Sequence, residues 1–270
     1  MIPQAYISAW RGTAPWTDDA QVEQDLALSR VLVELFANPN LTGTLALRGG
    51  TALNKLFLPS PARYSEDIDL VQVQAGAIGP VIDGIRALLG PWLGEPKRSA
   101  SQGNMTLVYR FESEVPPVRM LRLKVETNTR EHFAVLGFQH RPFAVNNPWF
   151  TGVADVLTYD INELLGTKLR ALYQRRKGRD LFDLWLCLQQ GMLNVDDVIR
   201  CFSKYMQMEE HAVSRAQFER NLYEKSRDPT FLSDLPPLLA GHIHYDVMAA
   251  MACVKQALIE QLPGDPWAGA

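Results

Sequence analysis

Between Arg48 and Leu70 the chain runs Arg48-Gly49-Gly50-Thr51-Ala52-Leu53-Asn54-Lys55 and then Arg63-Tyr64-Ser65-Glu66-Asp67-Ile68-Asp69-Leu70. A glycine turn is thus followed at short range by two alternating carboxylates. In a β-strand, residues i and i+2 project from one face about 6.5–7 Å apart, so Asp67 and Asp69 can share a divalent cation while Ile68 and Leu70 enter the core. The Gly49-Gly50 hinge lets backbone N–H groups turn toward an anion, with Thr51 as a cap for the helix that follows.

Each piece has an ordinary structural explanation. A Gly-Gly pair is usually a turn, and an Asp-x-Asp is usually a solvated strand end. Together they constrain more strongly. Two carboxylates on one face repel each other, and a strand continuing into Leu70, Val71 and Val73 does not bury them without a cation. An apolar strand, Leu45-Ala46-Leu47, leads into the glycines. The chemistry this combination suggests is metal-assisted nucleotidyl transfer, with Asp67 and Asp69 as metal ligands.

The chain has 270 residues, 47% hydrophobic and 21% charged, enough for one large domain or two modest ones. No apolar run is long enough to span a membrane and no basic-then-apolar leader opens the chain, so a cytoplasmic protein without a membrane partner is expected. Cys187, Cys201 and Cys253 lack metal or disulfide spacing. A net charge of −3 means that any polyanion site is local. The candidate is the run Lys168, Arg170, Arg175, Arg176, Lys177 and Arg179, which is also what a solvated helix face looks like.

Periodicity predicts a helix over 18–37, a strand over 44–48, a helix over 51–57 and a strand over 67–73. A helix over 78–89 follows, broken by Gly90 and Pro91, and then strands over 105–112 and 119–128 on either side of Pro116-Pro117. From about residue 160 the pattern is helical, over 161–174, 180–190, 195–205, 212–225 and 247–261. The expected architecture is an α/β (α+β) core with a mixed sheet over residues 1–155, followed by a helical C-terminal domain over 156–270.

Two further segments bear on chemistry. On the strand Leu121–Asn128, Arg122, Lys124 and Glu126 share one face. Glu126 can complete a metal site, act as a base toward an attacking hydroxyl, or simply pair with Lys124. In Arg175-Arg176-Lys177-Gly178-Arg179-Asp180-Leu181-Phe182-Asp183, Asp180 and Asp183 lie three apart on a helix directly after four cations. Asp180 either sits ionised among them or caps the helix. The five histidines, His132, His140, His211, His242 and His244, have no ligand-like spacing, and no Walker, dinucleotide-binding or nucleophile-elbow motif is present.

These motifs, Gly49-Gly50-Thr51, Arg63-x-Ser65-x-Asp67-x-Asp69, Lys168 on a helix and Arg175-x-Lys177-x-Arg179-Asp180-x-x-Asp183, together resemble the AbiEii family of nucleotidyltransferase toxins. That family includes the mycobacterial MenT-type toxins and falls within the DNA polymerase β-like nucleotidyltransferase superfamily. The resemblance implies a toxin of a two-gene toxin–antitoxin or phage-defence system that uses Mg²⁺ and a nucleoside triphosphate and has a cognate antitoxin as partner. It implies that Gly49, Gly50, Thr51 and Ser65 hold phosphates and that Asp67 and Asp69 bind metal. It also implies that Lys168, with Lys177 and Arg179, meets the triphosphate, and that Asp180 is required for activity. The expected acceptor is RNA, most specifically the tRNA 3′ end, with arrest of translation as the result. Two rivals keep the fold: a small-molecule nucleotidyltransferase of the aminoglycoside-modifying type, and a non-catalytic protein that sequesters a partner.

Overall fold

The computed structural model describes residues 2–101 and 103–269. The chain divides into two compact units, Met1–Tyr159 and Asp160–Ala270. The division falls where the last strand ends and an aspartate-capped helix begins, four residues beyond 155.

The first unit contains α1 (Gln4–Trp10), α2 (Asp19–Ala37), β1 (Leu45–Arg48) and α3 (Gly49–Ala52), which runs into a π-helical turn at Leu53–Phe57. Then come β2 (Asp67–Gln72), α4 (Gly79–Leu93), β3 (Lys97–Ser101), β4 (Asn104–Glu112), β5 (Met120–Asn128), β6 (Phe138–Asn147) and β7 (Phe150–Tyr159). Among the described residues the strands form one seven-stranded sheet in the order β3-β4-β5-β2-β1-β7-β6. It is mixed: β2 runs parallel to β5 and β1 parallel to β7, while the other neighbours are antiparallel. Helix α2 starts where Asp18 accepts from the Ala20 N–H and lies against β5, β6 and β7. Its buried Asp25 accepts from Trp10 Nε1 of α1 (2.9 Å) and from Lys55 Nζ of the π-turn (2.7 Å), which fastens the segment after the glycines to this long helix.

Three stretches differ from the periodicity. Helix α4 continues through Gly90 and Pro91 to Leu93 and ends at Gly94, whose φ is +75°. Burial of Leu89 and Leu93 outweighs the single hydrogen bond that Pro91 cannot donate. Strand β3, Lys-Arg-Ser-Ala-Ser, is exposed along its whole length and has no apolar alternation. The β6–β7 hairpin contains Pro142, a residue confined to edge strands, and β6 is indeed an edge.

The second unit is helical: α5 (Ile161–Gln174), α6 (Gly178–Gln189), α7 (Val195–Met208), α8 (Arg215–Lys225), the short α9 (Pro229–Ser233) and α10 (Val247–Ala257). Helix α5 packs on α6 and α7, and α10 covers α6. The α5–α7 crossing is close because residue 166 is glycine: a Cβ there would lie 2.6 Å from Cys201 Cβ. No helix among the described residues is long and apolar enough to cross a membrane.

Candidate active site

The glycine pair is held by what packs on it. Gly49 has φ +77°, and a Cβ on it would lie 2.3 Å from Asp69 Oδ2, so the Asp69 carboxylate rests directly over the Gly49 backbone. A Cβ on Gly50 would lie 2.4 Å from a nitrogen of the buried Arg63 guanidinium and 3.4 Å from Ser65 Oγ. Thr51 lies inside α3, whose cap position is Arg48, so it does not cap the helix. Instead its hydroxyl donates to the Asp67 carbonyl, which leaves it to accept from Ser65 Oγ at 2.9 Å. Asn54 closes the turn by donating to the Gly50 carbonyl at 2.9 Å. Gly49, Gly50, Thr51, Ser65, Asp67 and Asp69 are therefore one assembly.

Register decides what faces the two aspartates. Antiparallel β1 sets Arg48 beside Asp69, and parallel β5 sets Lys124 beside Asp67 and Glu126 beside Asp69. Ile68 and Leu70 are buried, while Asp67 and Asp69 on the alternate face are only partly covered. Lys124 Nζ lies 2.7 Å from Glu126 Oε2 and 3.9 Å from Asp67 Oδ2. Glu126 is thus adjacent to the aspartate pair but engaged by Lys124. Arg48 is turned to Glu131, in the loop after β5, and the next residue of that loop, His132, places Nδ1 2.7 Å from the Gln72 carbonyl at the end of β2. Burial, reinforced by the charges of Asp69 and Glu66, pushes the Asp67 carboxyl up to about 6 against the opposing pull of Lys124 and Arg122.

That excess of negative charge, and a carboxylate seated where a Cβ would otherwise stand, suit a divalent cation. Two partly exposed aspartates on one strand face are the hard oxygen donors that a divalent cation takes. Among the described residues no group of three or more His, Cys, Asp and Glu side chains is arranged to hold a metal. The Glu126 carboxylate is paired with Lys124 at 2.7 Å.

In the second unit Lys168, on α5, is buried, and its ammonium lies 3.1 Å from Asp180 Oδ1 and 2.9 Å from Asp183 Oδ2, both on α6. Arg175 closes on Asp180 in a bidentate pair, Nε at 2.7 Å and a terminal nitrogen at 2.8 Å. Burial alone would push Asp180 up, but Lys168 and Arg175 outweigh it and hold the carboxyl down at about 2. Gly178 is the first residue of α6 rather than the end of α5, and a Cβ there would lie 2.6 Å from the Phe231 carbonyl. The rest of the basic run is also matched: Arg176 by Asp228 (2.7 Å), Lys177 by Asp234 (3.3 Å), Arg179 by Asp234 (3.1 Å) and Arg170 by Glu209 (3.2 Å). The partners Asp228 and Asp234 lie some fifty residues downstream, in a region with no motif. Sequence spacing had no means of assigning them to these cations. The pairing of Glu126 with Lys124, by contrast, is the one that their spacing on a single strand face allows, and it is present at 2.7 Å.

A glycine turn leading from one strand of a mixed sheet into a helix, with an aspartate pair on the strand hydrogen-bonded beside it, defines a nucleotidyltransferase-type fold. The fold is similar to that of MenT4, a nucleotidyltransferase toxin from Mycobacterium tuberculosis, at TM-score 0.68 and 18% identity over 97% of this chain and 91% of that one. It is also similar to JHP933 from Helicobacter pylori, at TM-score 0.50 and 17% identity over 90% of this chain and 91% of that one. No curated protein sequence matches the chain. Residues 30–253 match the family described as nucleotidyl transferase AbiEii toxin, type IV TA system. The chain belongs to the AbiEii family of nucleotidyltransferases, the toxin members of type IV toxin–antitoxin systems.

Proposed function

We propose that this toxin transfers a nucleoside monophosphate from a nucleoside triphosphate to an RNA acceptor, most specifically the 3′ end of tRNA, and so stops translation in the cytoplasm until its antitoxin intervenes. The observation that carries the reading is the assembly of Gly49, Gly50, Thr51 and Ser65 around the Asp67–Asp69 pair. Mg²⁺ held by Asp67 and Asp69 would supply positive charge at the α-phosphate. The chain's own residues do the rest. The absence of side chains at Gly49 and Gly50 lets the Asp69 carboxylate and the Arg63 guanidinium pack directly on the turn, and the Thr51–Ser65–Asp67 hydrogen bonds fix the aspartate strand against it. Asp180 acts as a positioning residue, holding Lys168 and presenting the half-exposed Arg175 guanidinium.

One observation favours a small-molecule acceptor instead. The cations of the basic run are matched by carboxylates, which reduces their capacity to track a nucleic-acid backbone. The test separates the readings. Purified protein is incubated with total RNA and each labelled triphosphate in turn, beside Asp69→Ala. Label on tRNA 3′ ends, lost in the variant, supports the proposal; label on no RNA refutes the acceptor. In cells, expression without the antitoxin should arrest growth, and Asp67→Ala should relieve the arrest.

A further inference from the structure

Asp67, Asp69 and Glu126 bring three carboxylates to one face of two adjacent parallel strands, and Glu66 adds a fourth charge beside Asp67. Lys124 opposes them. The register of β5 on β2 sets it level with Asp67, and its spacing from Glu126 sets both on one face, so its ammonium reaches Glu126 at 2.7 Å and Asp67 at 3.9 Å. Its side chain is 22% exposed, which leaves the charge only partly screened by water.

A second positive centre bonded to Asp67 would lie within Coulomb reach of this ammonium and repel it. The two compete for the same carboxylates. We propose that Lys124 is the internal counter-cation of the cluster, holding Glu126 and screening Asp67 until a divalent cation arrives, and that it thereby sets the affinity of the site for divalent metal. This rests on the reading that Asp67 and Asp69 hold the metal.

Calorimetric titration of the full-length protein with MnCl₂ at low ionic strength tests it. The wild type is compared with Lys124→Met, Lys124→Gln, Lys124→Arg and Asp69→Ala. Both neutral variants should bind Mn²⁺ about tenfold more tightly, because one repelling charge is gone, while Lys124→Arg should stay within about twofold of the wild type. Thermal unfolding supplies a second readout that does not depend on activity. Without metal the neutral variants should melt below the wild type, and added Mn²⁺ should raise their midpoints further than it raises the wild type's. Unchanged or weaker Mn²⁺ affinity in both neutral variants overturns the inference. The metal reading fails separately: if wild type and Asp69→Ala bind Mn²⁺ alike, or neither binds, Asp67 and Asp69 are not its ligands and the role of Lys124 falls with them.

Discussion

Asp180→Asn distinguishes a buried structural anchor from a reacting group. Asp180 is fully buried and carries both a salt bridge from Lys168 and the bidentate pair from Arg175. Breaking a buried pair by removing one partner typically costs about 3–5 kcal/mol. Here the lower end applies, since Lys168 keeps Asp183 at 2.9 Å and the half-exposed Arg175 can turn to solvent. The titration agrees in sign: Lys168 and Arg175 outweigh burial and hold the carboxyl down at about 2, so its ionised form stabilises the fold at neutral pH. The expected loss is therefore about 3 kcal/mol, or roughly a 10 °C fall in the unfolding midpoint. Because the folded carboxyl is depressed, this contribution is complete above pH 4 and disappears as pH falls through 2, so the gap between wild type and variant should narrow there. Urea and thermal denaturation followed by circular dichroism measure it. A variant within about 1 kcal/mol of the wild type that has nonetheless lost transfer would refute the reasoning, and would place Asp180 at the chemistry instead.

Asp67 has the opposite sign. Its carboxyl is raised to about 6, so protonation stabilises the fold below pH 4 and that benefit is lost as pH rises through 6. With 38% of the side chain exposed, solvent screening limits the effect, and metal-free Asp67→Asn should gain about 1 kcal/mol at pH 7.5 and nothing at pH 4; equal or lower stability at pH 7.5, by urea denaturation in chelator, would contradict this. Gly49→Ala should lose roughly 2–4 kcal/mol, from the left-handed backbone and from the overlap of its Cβ with Asp69, together with divalent-cation binding. Wild-type stability and Mn²⁺ affinity in that variant would show that Asp69 does not depend on the turn.

Much of this molecule was legible along the chain because the governing interactions are local. The 3.6-residue stripe of Val22, Leu26 and Leu35 specifies α2, and Asp18 caps it. The two-residue alternation of Asp67-Ile68-Asp69-Leu70 separates carboxylates from core whichever strands lie beside them. The family motifs likewise lie within short segments. Other features depended on which distant residues became neighbours. Strand β3 has no apolar alternation, and β6 carries a proline, so both are held by their pairing partners rather than by their own pattern. The parallel register of β5 on β2, which puts Lys124 beside Asp67 and Glu126 beside Asp69, joins segments more than fifty residues apart. The charge balance of the basic run was also a tertiary matter. Spacing showed a block of cations following Lys168, but Asp228 and Asp234 reach them only because α9 packs against α6. Local sequence fixes which side chains share a face through backbone geometry; which charges neutralise one another depends on burial and long-range packing, and only the folded chain decides that.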